Sequence, residues 1–386
     1  MKKLISIILS LSLLLTLNIS VNALDIDLLG SATTDEYVSF VSSLIPNEVK
    51  SYINKNEKTI SEAIIINNDI NNIKCDSFKL LNNKIFVIYD LNSQPQNELY
   101  YLPVIAEDNI IDTVSIVNTN LGYSFSVSNE YSEELDSIDY DNKDYIFYMS
   151  KNNLVADNGV SQKAIKGIID SQAIDFLKKP IYEKLAFICN KKQQLQETNL
   201  NDNNCVKFGY TRGFSKNEDG WKELKLYKKK SQGNYNLCWA ASAATTINYI
   251  NGTNITAKKI ADDLEIPYNS GAPMSTVKTA LSNNSISYTK TGGNITYSAV
   301  KKNINKKYPA ILGSKNSNLS MGHIVTLVGY HTFKTNEYAI IWNSGITNSN
   351  NKVVGGYQTL YYNPNGMTFN YANITWTTFK YLSKYN

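Results

Sequence analysis

One stretch limits what this chain can become. A glycine- and asparagine-rich loop, Gln232-Gly-Asn-Tyr-Asn-Leu237, gives way at Cys238 to an uninterrupted helix-forming run that reaches Ile250. Ala243, Ile247 and Ile250 recur at helical spacing on one face, so the cysteine falls in the first turn of a helix. Free N–H groups and the positive end of the helix dipole there favour the thiolate, the nucleophilic form of the side chain. A single cysteine is more often a buried structural residue than a nucleophile. Here the surroundings argue the other way.

Gln232, six residues upstream, offers an amide donor on the loop that leads to the cysteine. Farther on, Met321 to Tyr330 reads as a buried strand carrying His323, and Tyr338 to Ser344 as a second one carrying Asn343. Gln, Cys, His and Asn in this chain order are the four parts of a thiol-dependent acyl-transfer site. His323 opens one strand, Asn343 closes the returning one and the turn falls near 334–336, so the two should meet at the open end of a hairpin. The other histidine, His331, lies close to the turn.

These residues resemble those of the papain-like cysteine peptidases, and among them the secreted bacterial branch that includes staphopain and the bacteriocin-leader-peptidase-like domains. The likeness rests on Gln232, Cys238-Trp239-Ala240, Gly322-His323 and Asn343-Ser344, and spans about residues 220–386. Two departures stand out. Asn236-Leu237 replaces the Gly-Ser that precedes the cysteine in papain, and Trp342 precedes the asparagine where papain has a tryptophan after Asn-Ser. The resemblance implies an α+β fold, a helical lobe facing a β lobe, and a cysteine endopeptidase acting on polypeptides. It also implies the roles: Cys238 as nucleophile, His323 as acid and base, Asn343 as the residue that orients the imidazole, and Gln232 as oxyanion donor. The run of helices expected at 256–264, 273–283 and 296–306, followed by strands to the end, agrees with that layout.

The rest of the chain divides by charge. Residues 24–205 hold 15 Lys and Arg against 27 Asp and Glu, a balance of −12, whereas residues 206–386 hold 21 against 7, a balance of +14. With Lys2 and Lys3 added, the overall charge of +4 conceals an acidic and a basic half that look made to meet. Residues 1–23 carry a short basic start, an apolar run of about 14 residues and small residues at Val21 and Ala23. That is a secretory signal peptide, too short to span a membrane. The expected product is a secreted, extracellular protein with no membrane anchor, made as a zymogen with residues 24–205 as a propeptide that inhibits the catalytic half, residues 206–386.

The acidic half reads as α+β: helices over 35–44 and from Pro46, an antiparallel meander over 84–90, 98–106, 110–117 and 122–128, and a helix over 161–178. It contains no histidine. Residues 190–220 are polar and asparagine-rich, the composition of an exposed, cleavable junction. With Cys238 kept free, Cys75, Cys189 and Cys205 leave an odd number; Cys189 and Cys205 could bridge the junction, although nothing in its composition holds its ends together.

Other chemistries find little support. Two histidines and four scattered cysteines supply no zinc spacing, Gly292-Gly293 lacks the flanks of a phosphate loop, and the lysines show no nucleic-acid motif. No cofactor, metal or nucleic-acid partner is therefore expected. Two rivals to an endopeptidase remain: a murein peptide hydrolase or amidase using the same thiol chemistry, and a non-enzymatic surface-binding protein on the same fold.

Overall fold

The computed structural model describes residues 37–191 and 220–386, apart from 39, 40, 43, 76, 93–98, 120, 121, 142, 151, 152, 168, 169, 182, 186, 189, 190, 317–321, 334 and 349. The expected signal peptide, most of the junction, and both Cys189 and Cys205 lie outside the described residues.

An antiparallel sheet of twelve strands forms the backbone of the molecule. From one edge it runs Lys79–Leu80, Leu99–Ala106, Asn109–Thr119, Gly122–Ser128, Gly356–Tyr361, Asn336–Asn343, Gly322–Phe333, Ala310–Lys315, Ile374–Ser383 and Lys290–Gly292. Thr368–Tyr371 hairpins with Ile374–Ser383, and Trp221–Glu223 pairs with Gly322–Phe333. Both charged halves supply strands. They join where Thr359 and Leu360 pair with Val127 and Ser126.

One apolar core continues across that seam, from Val49, Ile60, Leu102, Val114 and Phe125 to Val325, Ile340, Leu360 and Trp376. A second packs the Cys238–Asn251 helix, through Trp239, Ala243 and Ile247, against Ile260, Leu281 and Ile324. Helices Ala257–Asp263, Met274–Asn283 and Tyr297–Asn305 lie within a residue or so of their expected bounds. Thr256 and Thr296 cap two of them by accepting Lys259 and Ala299 N–H groups, which explains why the periodic runs start where they do. A helical layer faces an antiparallel β layer, an α+β arrangement as expected.

The acidic half differs from expectation in three places. The helix after Pro46 is 25 residues long, Asn47–Asn71, because Val49, Ile53, Ile60 and Ile64 keep one buried face along its length. The helix expected over 161–178 is instead a strand, Gln162–Lys166, followed by a helix, Ser171–Leu177. Gly167 takes φ +72° between them, where a Cβ would collide with the Asn153 side chain, and Asp170 caps the new helix by accepting the Ala173 N–H. Of the four-strand meander, three strands pair antiparallel as expected. The fourth stretch keeps a single antiparallel bridge, Phe86 with Tyr101, before Ile88–Asp90 runs parallel to Ile146–Ser150 in a separate four-stranded sheet.

Candidate active site

Cys238 is the first residue of its helix and keeps part of its surface exposed. One turn later Ser242 donates to the Ile324 carbonyl at 3.2 Å, which sets this helix face across the strand that bears His323. The main-chain N–H groups of Ile324, Trp239 and Cys238 pull the thiol pKa down. Burial of the sulfur outweighs them and pushes it up.

His323 is buried, and its Nε2 lies 2.9 Å from Asn343 Oδ1. Burial lowers the imidazole pKa to about 4, with the Asn343 bond pulling the other way. Burial thus disfavours the charged form of both side chains. Tyr371 stacks on the imidazole at 4.9 Å, with Trp376 at 5.3 Å, so the aromatic cover comes from the C-terminal hairpin.

A β-bulge puts His323 and Asn343 on the same face. From the turn, the register pairs Phe333 with Asn336, His331 with Tyr338 and Gly329 with Ile340, then slips by one so that Leu327 pairs with Ile341 and Thr326 with Trp342. Without the extra residue, Val328, Asn343 would stand opposite Thr326, on the face away from His323; with it, Asn343 falls on the His323 face. Gly329 belongs to the same device, since a Cβ there would lie 2.9 Å from Ile340 and 3.0 Å from the Lys222 carbonyl.

Gln232 is tied to the residue after Asn343. Its N–H donates to the Ser344 carbonyl at 3.0 Å, the Ser344 hydroxyl donates to its Oε1 at 3.4 Å, and its own amide donates to the Tyr235 carbonyl at 3.1 Å. That amide carries a second N–H. Trp342 donates to the Lys230 carbonyl at 3.0 Å, so Trp342 and Ser344 hold the loop at Lys230 and Gln232. The structure thus brings Gln232, Cys238, His323 and Asn343 to one place. His331 lies apart, stacked on Phe333. Sequence reasoning missed the bulge, Tyr371 and Trp376; Gly329 was the available signal for the bulge.

Beside the Gln232 loop lies a cavity of about 340 Å³, lined from the basic half by Gln232, Tyr235 and Tyr371 and from the acidic half by Glu130, Tyr131 and Lys166. Among the described residues no His, Cys, Asp and Glu cluster could hold a metal, and no helix is long and apolar enough to cross a membrane.

A thiol thus stands at a helix N-terminus that packs on the strand carrying His323, and the next strand carries Asn343. Residues 222–375, under half of the chain, match the family model described as Peptidase_C39 like family, so this part of the chain is similar to the cysteine peptidases. No curated protein matches the sequence. Matching solved structures include digestive procathepsin L 3 of Tenebrio molitor larval midgut, 11% identical over 43% of this chain and 72% of that one; at a TM-score of 0.28 the likeness carries no weight.

Proposed function

We propose that the chain is a secreted endopeptidase made as a zymogen, with Cys238, His323 and Asn343 as its catalytic residues and Gln232 as an oxyanion donor. The observation that carries this reading is the His323–Asn343 bond of 2.9 Å on the strand that packs beneath Cys238. Asn343 accepts the Nε2 proton, which leaves Nδ1 bare as the base. The thiol proton passes to Nδ1, and the sulfur attacks the peptide carbonyl. The oxyanion is met by the Cys238 N–H and the second Gln232 amide proton. The imidazolium then protonates the leaving amine, and water, deprotonated by the same imidazole, releases the acyl group and restores the thiol.

Latency is supported by how the acidic half grips the Thr368–Ser383 hairpin. Its tip, Ala372-Asn373, is held by the Tyr101 hydroxyl on Asn373 at 2.9 Å, by Asn373 donating to the Ile88 carbonyl at 3.3 Å, and by Glu130, which accepts the Ala372 N–H. The same hairpin lays Tyr371 on His323. Held closed, it keeps water from the pair and so keeps thiol and imidazole neutral. With the acidic half gone, hydration would favour the reactive thiolate–imidazolium pair.

Incubation of the secreted protein with casein or with cell-wall sacculi, with and without a thiol-reactive epoxide, tests the reading. Epoxide-sensitive casein cleavage is expected. Sacculus cleavage alone would replace the endopeptidase with a murein hydrolase, and neither activity would leave a binding protein.

A further inference from the structure

Beyond Asn343 the hydrogen-bonded chain continues. Asn343 Nδ2 donates to Gln358 Oε1 at 3.0 Å, and Gln358 Nε2 donates to the main-chain carbonyl of Asn370 at 2.7 Å. Asn343 and Gln358 are buried on the same sheet face, Gln358 pairing with Ile341 two residues from the Asn343–Gly356 pair. His323, Asn343 and Gln358 thus lie in a line across three neighbouring strands.

We infer that Gln358 is a positioning residue that fixes the orientation of the Asn343 amide and, through it, the tautomer of His323. This rests on the proposed roles of Cys238, His323 and Asn343. The argument is one of donors and acceptors. A main-chain carbonyl only accepts, so the end of Gln358 facing Asn370 must be its NH₂, and the end facing Asn343 must be its oxygen. That oxygen in turn requires the Asn343 NH₂, which turns Asn343 Oδ1 towards His323. There Oδ1 can only accept, so Nε2 carries the proton and Nδ1 is bare towards the thiol side. The Gly345 N–H, 3.1 Å from Asn343 Oδ1, demands the same orientation. Gln358 secures the other end of that amide, which would otherwise be a buried donor without a partner and would draw Asn343 away from the imidazole to find one.

The polarity therefore starts at Asn370, in the strand that forms the hairpin with Ile374–Ser383. Gln358 sends it inward without a titrating group. A glutamate there would fill the same volume but would carry a charge that stabilises the imidazolium and would meet the Asn370 carbonyl with oxygen instead of NH₂.

The test uses the full-length chain labelled with ¹⁵N-histidine, with His331→Ala to assign the two imidazoles, and reads Cys238 alkylation by iodoacetamide at the peptide level by mass spectrometry. In the parent chain His323 should show the Nε2–H tautomer. Gln358→Leu should slow Cys238 alkylation at pH 6–7 by about 10- to 100-fold, as loss of an orienting partner does elsewhere. Gln358→Glu should raise the pH of half-protonation of His323 by about one unit or more. Parent-like alkylation in Gln358→Leu, or an unmoved His323 titration in Gln358→Glu, would reduce Gln358 to a packing residue; should the leucine variant fail to fold, the glutamate titration decides. His323→Ala separates the two levels. If it alkylates like the parent, the Cys238–His323 reading itself fails; if it is slow while Gln358→Leu is normal, the Gln358 inference fails alone.

Discussion

The two halves of the molecule bury polar groups in opposite ways. The acidic half takes charges into its interior: Glu62, Asp112, Glu130, Glu134, Asp157, Lys166 and Lys184 are all buried, some as pairs such as Lys184–Asp157 at 2.8 Å. Among the described residues of 220–386, the buried polar groups include no Asp, Glu, Lys or Arg; they are amides, hydroxyls and His323. The difference has a chemical logic. A site that works by moving one proton is disturbed by other groups that can take it, whereas amides orient without titrating. In the opposing half Lys166 lies near Glu130 and Glu134 and Lys184 on Asp157, whereas Asp112 takes only the Asn67 amide.

The sharpest break of this comparison lies in the histidines. Cys238→Ala and His323→Ala should each lower casein turnover by about 10³-fold or more, and the cysteine variant should accumulate as the full-length chain if maturation is autocatalytic. His331→Ala should stay near the parent rate, since His331 stacks on Phe333 away from the amide line. A gel assay of the three variants decides, and the reverse ranking of the histidines would overturn the site.

A smaller effect tests the contact between the halves. Asn373→Ala removes the anchor that Tyr101 and the Ile88 carbonyl make on the hairpin tip. Cys238 in the full-length chain should then alkylate several-fold faster, with the melting midpoint lowered only slightly. An unchanged rate would mean that the acidic half does not hold Tyr371 over His323.

The Cys238 helix, the three helices after it and the two strands of His323 and Asn343 were legible because each depends on local periodicity and caps. Less of the rest was. A one-residue bulge at Val328 changes which face Asn343 occupies, yet it shows in the sequence only as Gly329 beside a valine. Gln358 and Tyr371 reach the site from strands far along the chain, and nothing near them in sequence marks their role. In the acidic half, residues 161–178 kept an apolar spacing that fits a helix, but pairing of Gln162–Lys166 with Asn153–Asp157 overrode it.

Buried charge also gives the two halves opposite responses to acid. Burial raises the Asp112 pKa well above the usual carboxylate range, its hydrogen bond from Asn67 notwithstanding. A carboxyl raised in the folded state costs stability above that raised pKa, and the cost disappears as pH falls below the unfolded value near 4. His323, lowered to about 4, works in reverse: between about 6.5 and 4 the unfolded chain takes up a proton that the folded site refuses, which costs up to about 3 kcal/mol. Asp112→Asn should therefore raise the melting temperature by about 2–6 °C at pH 7–8 and leave it unchanged near pH 4. A gain that persists in acid would show that the burial cost of this carboxylate is not its cause.

The smallest expected effect concerns salt. Balances of −12 and +14 suggest halves held together by charge, but the observed seam is made of other things. Strand pairing joins Thr359 and Leu360 to Val127 and Ser126, Thr368 bonds Ser124 at 2.6 Å, and Asn336 and Tyr338 bond Glu62 without a cation. The ion pairs among the described residues each lie within one half. Long-range attraction between the halves is screened beyond about 8 Å at physiological ionic strength, while strand pairing and apolar burial are not. Raising NaCl from about 0.05 to 0.5 M should therefore move the melting temperature of the full-length chain by less than about 2 °C. A fall of ten degrees would make the opposite charges the main bond between the halves and reduce the shared sheet to a secondary one. A flat response would confine the charge asymmetry to steering the halves together before the strands pair, a step that equilibrium melting does not sense.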